Sequence, residues 1–395
     1  MSTATAALKE RVIAAVDERR DLLVRLSATI HANPELSFQE HKAAALLCDA
    51  LQANGFSVER AVGGLDTAFR AAARGARSGP TVALLAEYDA LPEIGHACGH
   101  NIIAASAIGA GLAVQSVLGE LPGRVVVIGT PAEEAGGGKL ILIERGVFDG
   151  VDAAMMVHPS SYTMVARGSL ASFRLNIEFK GRASHAAAAP EDGVNALEAV
   201  ILTFNNINAL RLHLRGDARV HGIITHGGAA SNIIPDYAAA VFSVRAASQG
   251  YGREVLQRVV NCAEAAAMAT GAQLKHSITP GYAEMIPNRV IARHMAENWR
   301  SLGVPVHDPR PNERMGSTDF GNVSQTVPGI HAYIAIAADG TAGHTLEFRE
   351  ASNSQAGQDG MLNSAKAMAM TTVELLNEPQ LMKEVKEDFA LRAKR

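Results

Sequence analysis

The chain has 395 residues, more than the roughly 250 to 300 at which a single hydrophobic core stops growing, so two domains are expected. Apolar residues make up 48% and charged ones 19%, a globular balance that excludes a disordered chain. With 36 Lys and Arg against 40 Asp and Glu the net charge is -4, and no basic block suits a phosphate backbone or an anionic bilayer, so neither nucleic acid nor membrane is expected as a partner.

The N-terminal MSTATAALKERVIAAVDERRDLLVRL reads as an amphipathic helix crossed by charges, without the apolar core of an export signal. No uninterrupted apolar run reaches transmembrane length. Three cysteines, Cys48, Cys98 and Cys262, cannot all pair, and such sparse usage fits a reducing, cytoplasmic location. Cys48 and Cys262 fall in apolar helical patterns and read as small buried hydrophobes, whereas Cys98 keeps different company.

Between residues 57 and 168 strand-like and helix-like text alternates: TVALLAEYD, a helix from about Asn101 to Leu118, RVVVIGTP, a helix around KLILIERG, then AAMMVHP. Apolar strands joined by helices predict an α/β domain with a doubly wound, mostly parallel sheet covered on both faces. Each strand ends in polar, metal-capable residues, and ligands bind beyond the carboxyl ends of such strands.

The rhythm changes near Ser169. SFRLNIEFKG alternates apolar and polar residues, a helix follows through NALEAVILTFNNINAL, and then come HGIITHGG, AAAVFSVRA, a helix from Tyr251 to Thr270, and AQLKHSITPG. Strand, helix, strand, strand, helix, strand is the order of a ferredoxin-like α+β unit. A helix around NRVIARHMAENWRSLG, the strand HAYIAIA and a long helix from about Ser354 return to the earlier style, and the charged tail beyond Glu378 reads as a solvated helix. The expected division is residues 1–168 and 284–395 for the larger domain and 169–283 for a smaller one inserted into it.

The strongest chemical signal is LLAEYDALPEIGHACGHNIIAA, where a buried strand runs into a loop carrying Glu87, Asp89, His96, Cys98 and His100. A thiolate and an imidazole separated by one Gly can converge on a metal at a turn. GTPAEEAGGG then sets Glu133 and Glu134 at the next strand end, where one of two adjacent carboxylates can ligate while its neighbour reaches water. His158 in AAMMVHP and His344 in AGHTLEF are weak signals singly, but Cys98, His100, Glu134 and His158 all fall just beyond consecutive strands.

The series HANPELSFQE, DALPEIGHACGH, GTPAEEAGGGK, VHP, GRASHAAAAPEDGVNA, GGAASNIIPD, GSTDFG and GHTLEF resembles, in order and over nearly the whole chain, the aminoacylase and glutamate carboxypeptidase family of metallopeptidases. The nearest likeness is to its amidohydrolase branch, with aminobenzoyl-glutamate hydrolases, auxin-conjugate hydrolases and beta-alanyl dipeptidases. The resemblance implies a metal-binding catalytic domain, an inserted lid that forms a homodimer, and two divalent ions, zinc or manganese ahead of cobalt. Carried over by motif, Cys98, His100, Glu134, His158 and His344 take the ligand positions and Glu133 that of the general base. His185 matches a lid histidine that reaches the partner subunit's site, and Asn232 a residue that holds the substrate carboxylate, with Arg245 or Arg314 as further candidates for that carboxylate.

Two departures stand out. Many members of the branch read Asp-Met-Asp and Gly-His-Asp where this chain has Glu87-Tyr88-Asp89 and Gly99-His100-Asn101, and Gly-Ser-Glu-Asp-Phe becomes GSTDF with Thr318 and Asp319. They lean toward the dipeptidase and aminobenzoyl-glutamate side. The expected reaction is hydrolysis of the amide bond of an N-acyl amino acid or dipeptide. Competing readings are a cysteine hydrolase with Cys98 as nucleophile and His96 or His100 as base, and a non-catalytic metal- or ligand-binding protein.

Overall fold

The computed structural model describes residues 3–310, 313 and 315–392. The chain forms two compact units, one of Met1–Gly168, Ile286–Arg314 and Asn322–Arg395, the other of Ser169–Met285 and Met315–Gly321.

In the first unit the helices α1 (Thr3–Glu18), α2 (Arg20–Ala32) and α3 (His41–Ala53) precede the strands β1 (Ser57–Arg60), β2 (Phe69–Arg74) and β3 (Arg77–Ala86). Then come α4 (His100–Gln115), β4 (Pro122–Gly129), α5 (Gly138–Glu144) and β5 (Ala153–Ser160). The second unit contains β6 (Ala171–Lys180), α6 (Ala196–Arg211), β7 (Arg219–His226), β8 (Tyr237–Ala246), α7 (Gln249–Thr270) and β9 (Gln273–Tyr282). The chain continues with α8 (Arg289–Ser301), α9 (Phe320–Thr326), β10 (Gly329–Ala335), α10 (Leu346–Ser352), α11 (Gln355–Asn377) and α12 (Pro379–Arg392).

The larger sheet has the order β1-β2-β4-β3-β5-β10, with β4, β3, β5 and β10 parallel and β1 and β2 antiparallel at one edge. From β3 the chain moves to β4 on one side and then returns to β5 on the other. This reversal makes the carboxyl end of β3 a topological switch point, where neighbouring connections diverge and leave a crevice. Val82 to Ala86 and Val125 to Ile128 are fully buried, as expected for strands covered on both faces. The helix α4 is buried from His100 to Val114, apolar around most of its circumference because it lies between the sheet strands β3, β4 and β5 and the helices α1, α2, α3 and α11.

The smaller sheet is antiparallel throughout, in the order β7-β8-β6-β9, and its helices α6 and α7 pack on one face. That face carries Leu175, Ile177, Phe179, Ala240, Phe242 and Val244, alternate residues of β6 and β8. The expected α/β sheet domain with a ferredoxin-like α+β unit is the observed architecture. Glu284 and Met285 group with the smaller unit, where Glu284 Oε2 accepts the Gln249 N–H and Ser169 Oγ accepts the Met285 N–H, both at 2.9 Å.

Three stretches of the chain differ from the sequence reading. The N-terminal helix is interrupted at Arg19, giving α1 and α2. The edge strand β1 and its neighbour β2 are not separately legible in the sequence, since SVER and FRAAAR are short and carry charges. The tail is helical but not wholly solvated: Leu381, Met382 and Val385 of α12 are buried, and the Val385 carbonyl accepts Asn288 Nδ2 at 2.9 Å.

Candidate metal centre

The first loop of the site follows β3 and ends at the first residue of α4. Gly99, between Cys98 and His100, has φ +75, and a Cβ there would lie 2.5 Å from Pro159 Cγ. The left-handed turn therefore requires glycine, and it aims Cys98 and His100 inward together. His100 Nδ1–H donates to Asp89 Oδ1 at 3.0 Å, which fixes the tautomer and leaves Nε2 as the ligand atom. Asp89 Oδ2 accepts the Ser37 hydroxyl at 3.0 Å and the Glu134 backbone N–H at 2.9 Å. Burial works against the Asp89 charge, but His100 and these donors hold its carboxyl down at about 2.

The second loop follows β4. Ala132 takes a left-handed conformation, φ 59, a strained choice for a residue with a side chain, and its N–H is held by Glu40 Oε1 at 2.9 Å. Glu133 and Glu134 come next, both half-buried. His158 ends the apolar run of β5, where its Nδ1–H donates to the Pro159 carbonyl at 2.6 Å, and burial pulls its pKa to about 4, so the ring is a neutral imidazole. His344, also left-handed at φ 62, is tied by its N–H to the Ala97 carbonyl at 3.0 Å and brings Nε2 to 3.8 Å from Glu134 Oε2.

These side chains converge in three overlapping groups: Cys98, His100 and His158; Cys98, Glu134 and His344; and His100, Glu133 and Glu134. Within each group the candidate ligand atoms lie within 4.8 Å of one another. His100 Nε2 and Glu134 Oε1 are buried without a hydrogen-bond partner, 3.7 Å apart. Buried polar atoms left unsatisfied are costly, and here they face one another with the sulfur, nitrogen and oxygen donors that divalent ions take. Burial alone would lower the pKa of His100, but Asp89, Cys98 and Glu87 raise it well above the usual histidine value, so the cage favours positive charge at its centre. The residues present fit a divalent ion bound by more than one of these groups.

The thiol chemistry needed by a cysteine hydrolase has no comparable support. Burial pushes the Cys98 thiol far above its usual range, and the thiolate there calls for a cation beside it. Burial and the neighbouring His100 and His31 push His96 down to about 3, too weakly basic to activate a thiol.

Several neighbours had no signal of their own in the sequence. Lys139 of α5 is fully buried and donates to Glu87 Oε1 at 2.5 Å. His331 and Tyr333 of β10 pack against His158, with ring centroids 5.4 and 5.8 Å away. The departures also find local reasons. Tyr88 is buried, stacks on Phe69 and donates its hydroxyl to the Thr67 carbonyl at 2.5 Å, while Asn101 Nδ2 donates to Ser27 Oγ and the Ser352 carbonyl at 2.8 and 3.1 Å. Asp at position 101 would lack that donor.

His185, Asn232 and Arg245 belong to the smaller unit. There His185 and Ile233 form an isolated bridge, and the Ala186 N–H donates to the Asn232 carbonyl at 3.0 Å, so His185 and Asn232 are neighbours. His185 is exposed, and its Nδ1 accepts the N–H groups of Ala187 and Ala188 at 3.3 and 3.2 Å. Arg245 lies on β8 between Ser172 and Arg219, on the sheet face opposite the helices. Arg314 lies outside the described residues.

The model of peptidase family M20/M25/M40 matches residues 83–362, which include every converging side chain above. The chain belongs to this peptidase family. The Xaa-Arg dipeptidase of Mus musculus is 41% identical over 97% of this chain and 92% of that protein. One of the p-aminobenzoyl-glutamate hydrolase subunits of Escherichia coli K12 is 29% identical over 95% of this chain and 93% of that protein. Two solved structures share the fold. One, described as a dinuclear metal binding peptidase of Bacillus subtilis, matches with TM-score 0.70 and 23% identity over 91% of this chain and 99% of that one. The other, an aminobenzoyl-glutamate utilization protein of Klebsiella pneumoniae, matches with TM-score 0.74 and 20% identity over 92% and 98%. Family membership makes the chain an enzyme of the peptidase and amidohydrolase type.

Proposed function

We propose that the chain is a two-metal amidohydrolase that cleaves the amide bond of a dipeptide or N-acyl amino acid, with Cys98, His100, Glu134, His158 and His344 as ligands and Glu133 as general base. The observation that carries this reading is the overlap of the three donor groups, which share Cys98, His100 and Glu134 as two neighbouring ion sites would. The family relatives named dipeptidase and aminobenzoyl-glutamate hydrolase support the substrate class, and the mouse protein's name favours a dipeptide.

When bound, the divalent pair supplies Lewis acidity: it polarises the amide carbonyl and acidifies water. Glu133, adjacent in sequence to Glu134 and grouped with it and His100, takes the proton of the attacking water and returns it to the leaving amine. His185, with Nδ1 occupied by two backbone N–H groups, carries its proton on Nε2 and offers that N–H as a hydrogen-bond donor to the developing oxyanion. Asn232, beside it, holds the substrate carboxylate, with Arg245 or Arg314 as the cationic partner. Zinc or manganese suits the mixed S, N and O donor set, with cobalt as a further option. We assign the smaller unit the role of a lid that dimerises and lends His185 to its partner, and the protein to the cytoplasm, in keeping with its three unpaired cysteines. No helix among the described residues is long and apolar enough to cross a membrane.

The decisive experiment is Glu133→Gln. The amide cannot accept a proton, so turnover of a dipeptide panel should fall by about 10²- to 10⁴-fold or more while two ions stay bound. Loss of metal in this variant would mean that Glu133 and Glu134 have exchanged roles.

A further inference from the structure

Glu87 takes no part in the mechanism above, yet it occupies the position just beyond β3, at the switch point of the parallel sheet. Its side chain is fully buried. One oxygen, Oε1, receives the Lys139 ammonium at 2.5 Å, and Lys139 is itself fully buried in the first turn of α5. The other, Oε2, has no hydrogen-bond partner and lies 3.6 Å from His100 Nε2, which has none either. A buried carboxylate oxygen without a donor is costly, and a bound cation is one arrangement that satisfies it.

The spacing points to which cation. Donors bound to one ion at about 2.0 to 2.2 Å stand roughly 3 to 3.5 Å from each other. Glu87 Oε2 sits 3.6 Å from His100 Nε2, and Glu134 Oε1, an assigned ligand atom, sits 3.7 Å from the same nitrogen. In its distance from His100 Nε2 alone, Glu87 Oε2 matches Glu134 Oε1, although Glu87 is not among the three converging groups of donors.

We infer that Glu87 Oε2 is a sixth protein donor to the metal pair, shared with His100, and that Lys139 is a positioning residue that fixes the carboxylate through Oε1. This rests on the two-metal reading of the site. The ammonium balances the charge that Glu87 adds, so the site gains a donor without gaining net negative charge. A Glu–Lys pair of purely structural purpose would need both members equally, whereas a ligand and its holder are unequal: the ion needs the carboxylate more than the ammonium.

The test uses the full-length wild type, Glu87→Gln, Lys139→Met and the double variant, each stripped of metal and titrated with zinc against a chromophoric chelator. Cobalt-loaded samples report the ligand field by absorption. Wild type should take up two ions. Glu87→Gln should bind one of them at least about tenfold more weakly and shift the cobalt bands, whereas Lys139→Met should keep both ions within a few-fold. The double variant, which removes both buried charges together, should bind as Glu87→Gln does and decides the matter if the single variant fails to fold. Wild-type affinity in folded Glu87→Gln or in the double variant would overturn the inference, as would an equal loss in Lys139→Met. A wild type that takes up no ion would overturn the two-metal reading itself.

Discussion

At the scale of single residues, the site is a set of side chains whose outer atoms are already committed. His100 spends Nδ1 on Asp89 and His158 spends Nδ1 on the Pro159 carbonyl, so each is left with one nitrogen to offer. Cys98 is buried beside His100 and Glu134. Its burial disfavours the thiolate, and a divalent ion is what offsets that cost. Cys98→Ala should therefore lower bound metal and activity together. Element analysis of the purified variant checks this, and full occupancy would remove Cys98 from the ligand set.

Secondary-structure elements bring these atoms to one place because the ends of β3, β4 and β5 lie side by side in a parallel sheet. The turn from β3 into α4 depends on Gly99, where a side chain meets both a left-handed backbone and Pro159. Gly99→Ala should cost about 2 to 4 kcal/mol, combining backbone strain with overpacking, and should lower the urea midpoint of the metal-stripped protein. An unchanged midpoint would show that the turn relaxes freely. Away from the site, Glu374 of α11 joins three helices: it accepts Lys9 Nζ of α1 at 2.6 Å, and His294 Nδ1 and Asn298 Nδ2 of α8 at 3.1 and 3.2 Å. Burial raises its pKa, but the hydrogen bonds from His294 and Lys9 outweigh that and leave it lowered. A folded pKa below the unfolded value of about 4.3 contributes stability that is present above that pH and lost as pH falls through the folded value. Glu374→Gln should be less stable than wild type at pH 7, and the gap should begin to narrow as pH falls below about 4.3. Chemical unfolding of both proteins from about pH 7 to 3.5 measures it, and a gap that does not narrow below about pH 4.3 would assign the loss to packing instead.

At the scale of the whole molecule, the proposed lid makes a complete site depend on two chains. Glu133→Gln and His185→Ala homodimers should each be nearly inactive. Mixing them through dissociation and reassociation places both defects in one site of a hybrid dimer and neither in the other. Random pairing makes about half the dimers hybrids, so roughly a quarter of all sites should recover. No recovery, with exchange followed by a tag on one partner, would place His185 within its own chain's chemistry or outside the chemistry altogether.

The sequence by itself determined the features that depend on local period and order. Continuous apolar runs marked β3, β4 and β5, alternation marked β6 and β8, and the order of elements marked the ferredoxin-like unit, because strand burial imposes a pattern along the chain. Clustering of Cys98, His100, Glu133 and Glu134 at strand ends was legible for the same reason: in a parallel sheet the carboxyl ends lie on one side. Tertiary structure alone decided what depends on partners far apart in the chain. The charges of SVER and FRAAAR concealed the edge strand β1 and its neighbour β2, and the charged tail concealed the buried face of α12. Lys139 reads as an ordinary helix lysine until β3 and α5 come together, and only then do its burial and its pairing with Glu87 exist. Burial and electrostatic environment are set by neighbours brought together in the fold, and no window of sequence contains them.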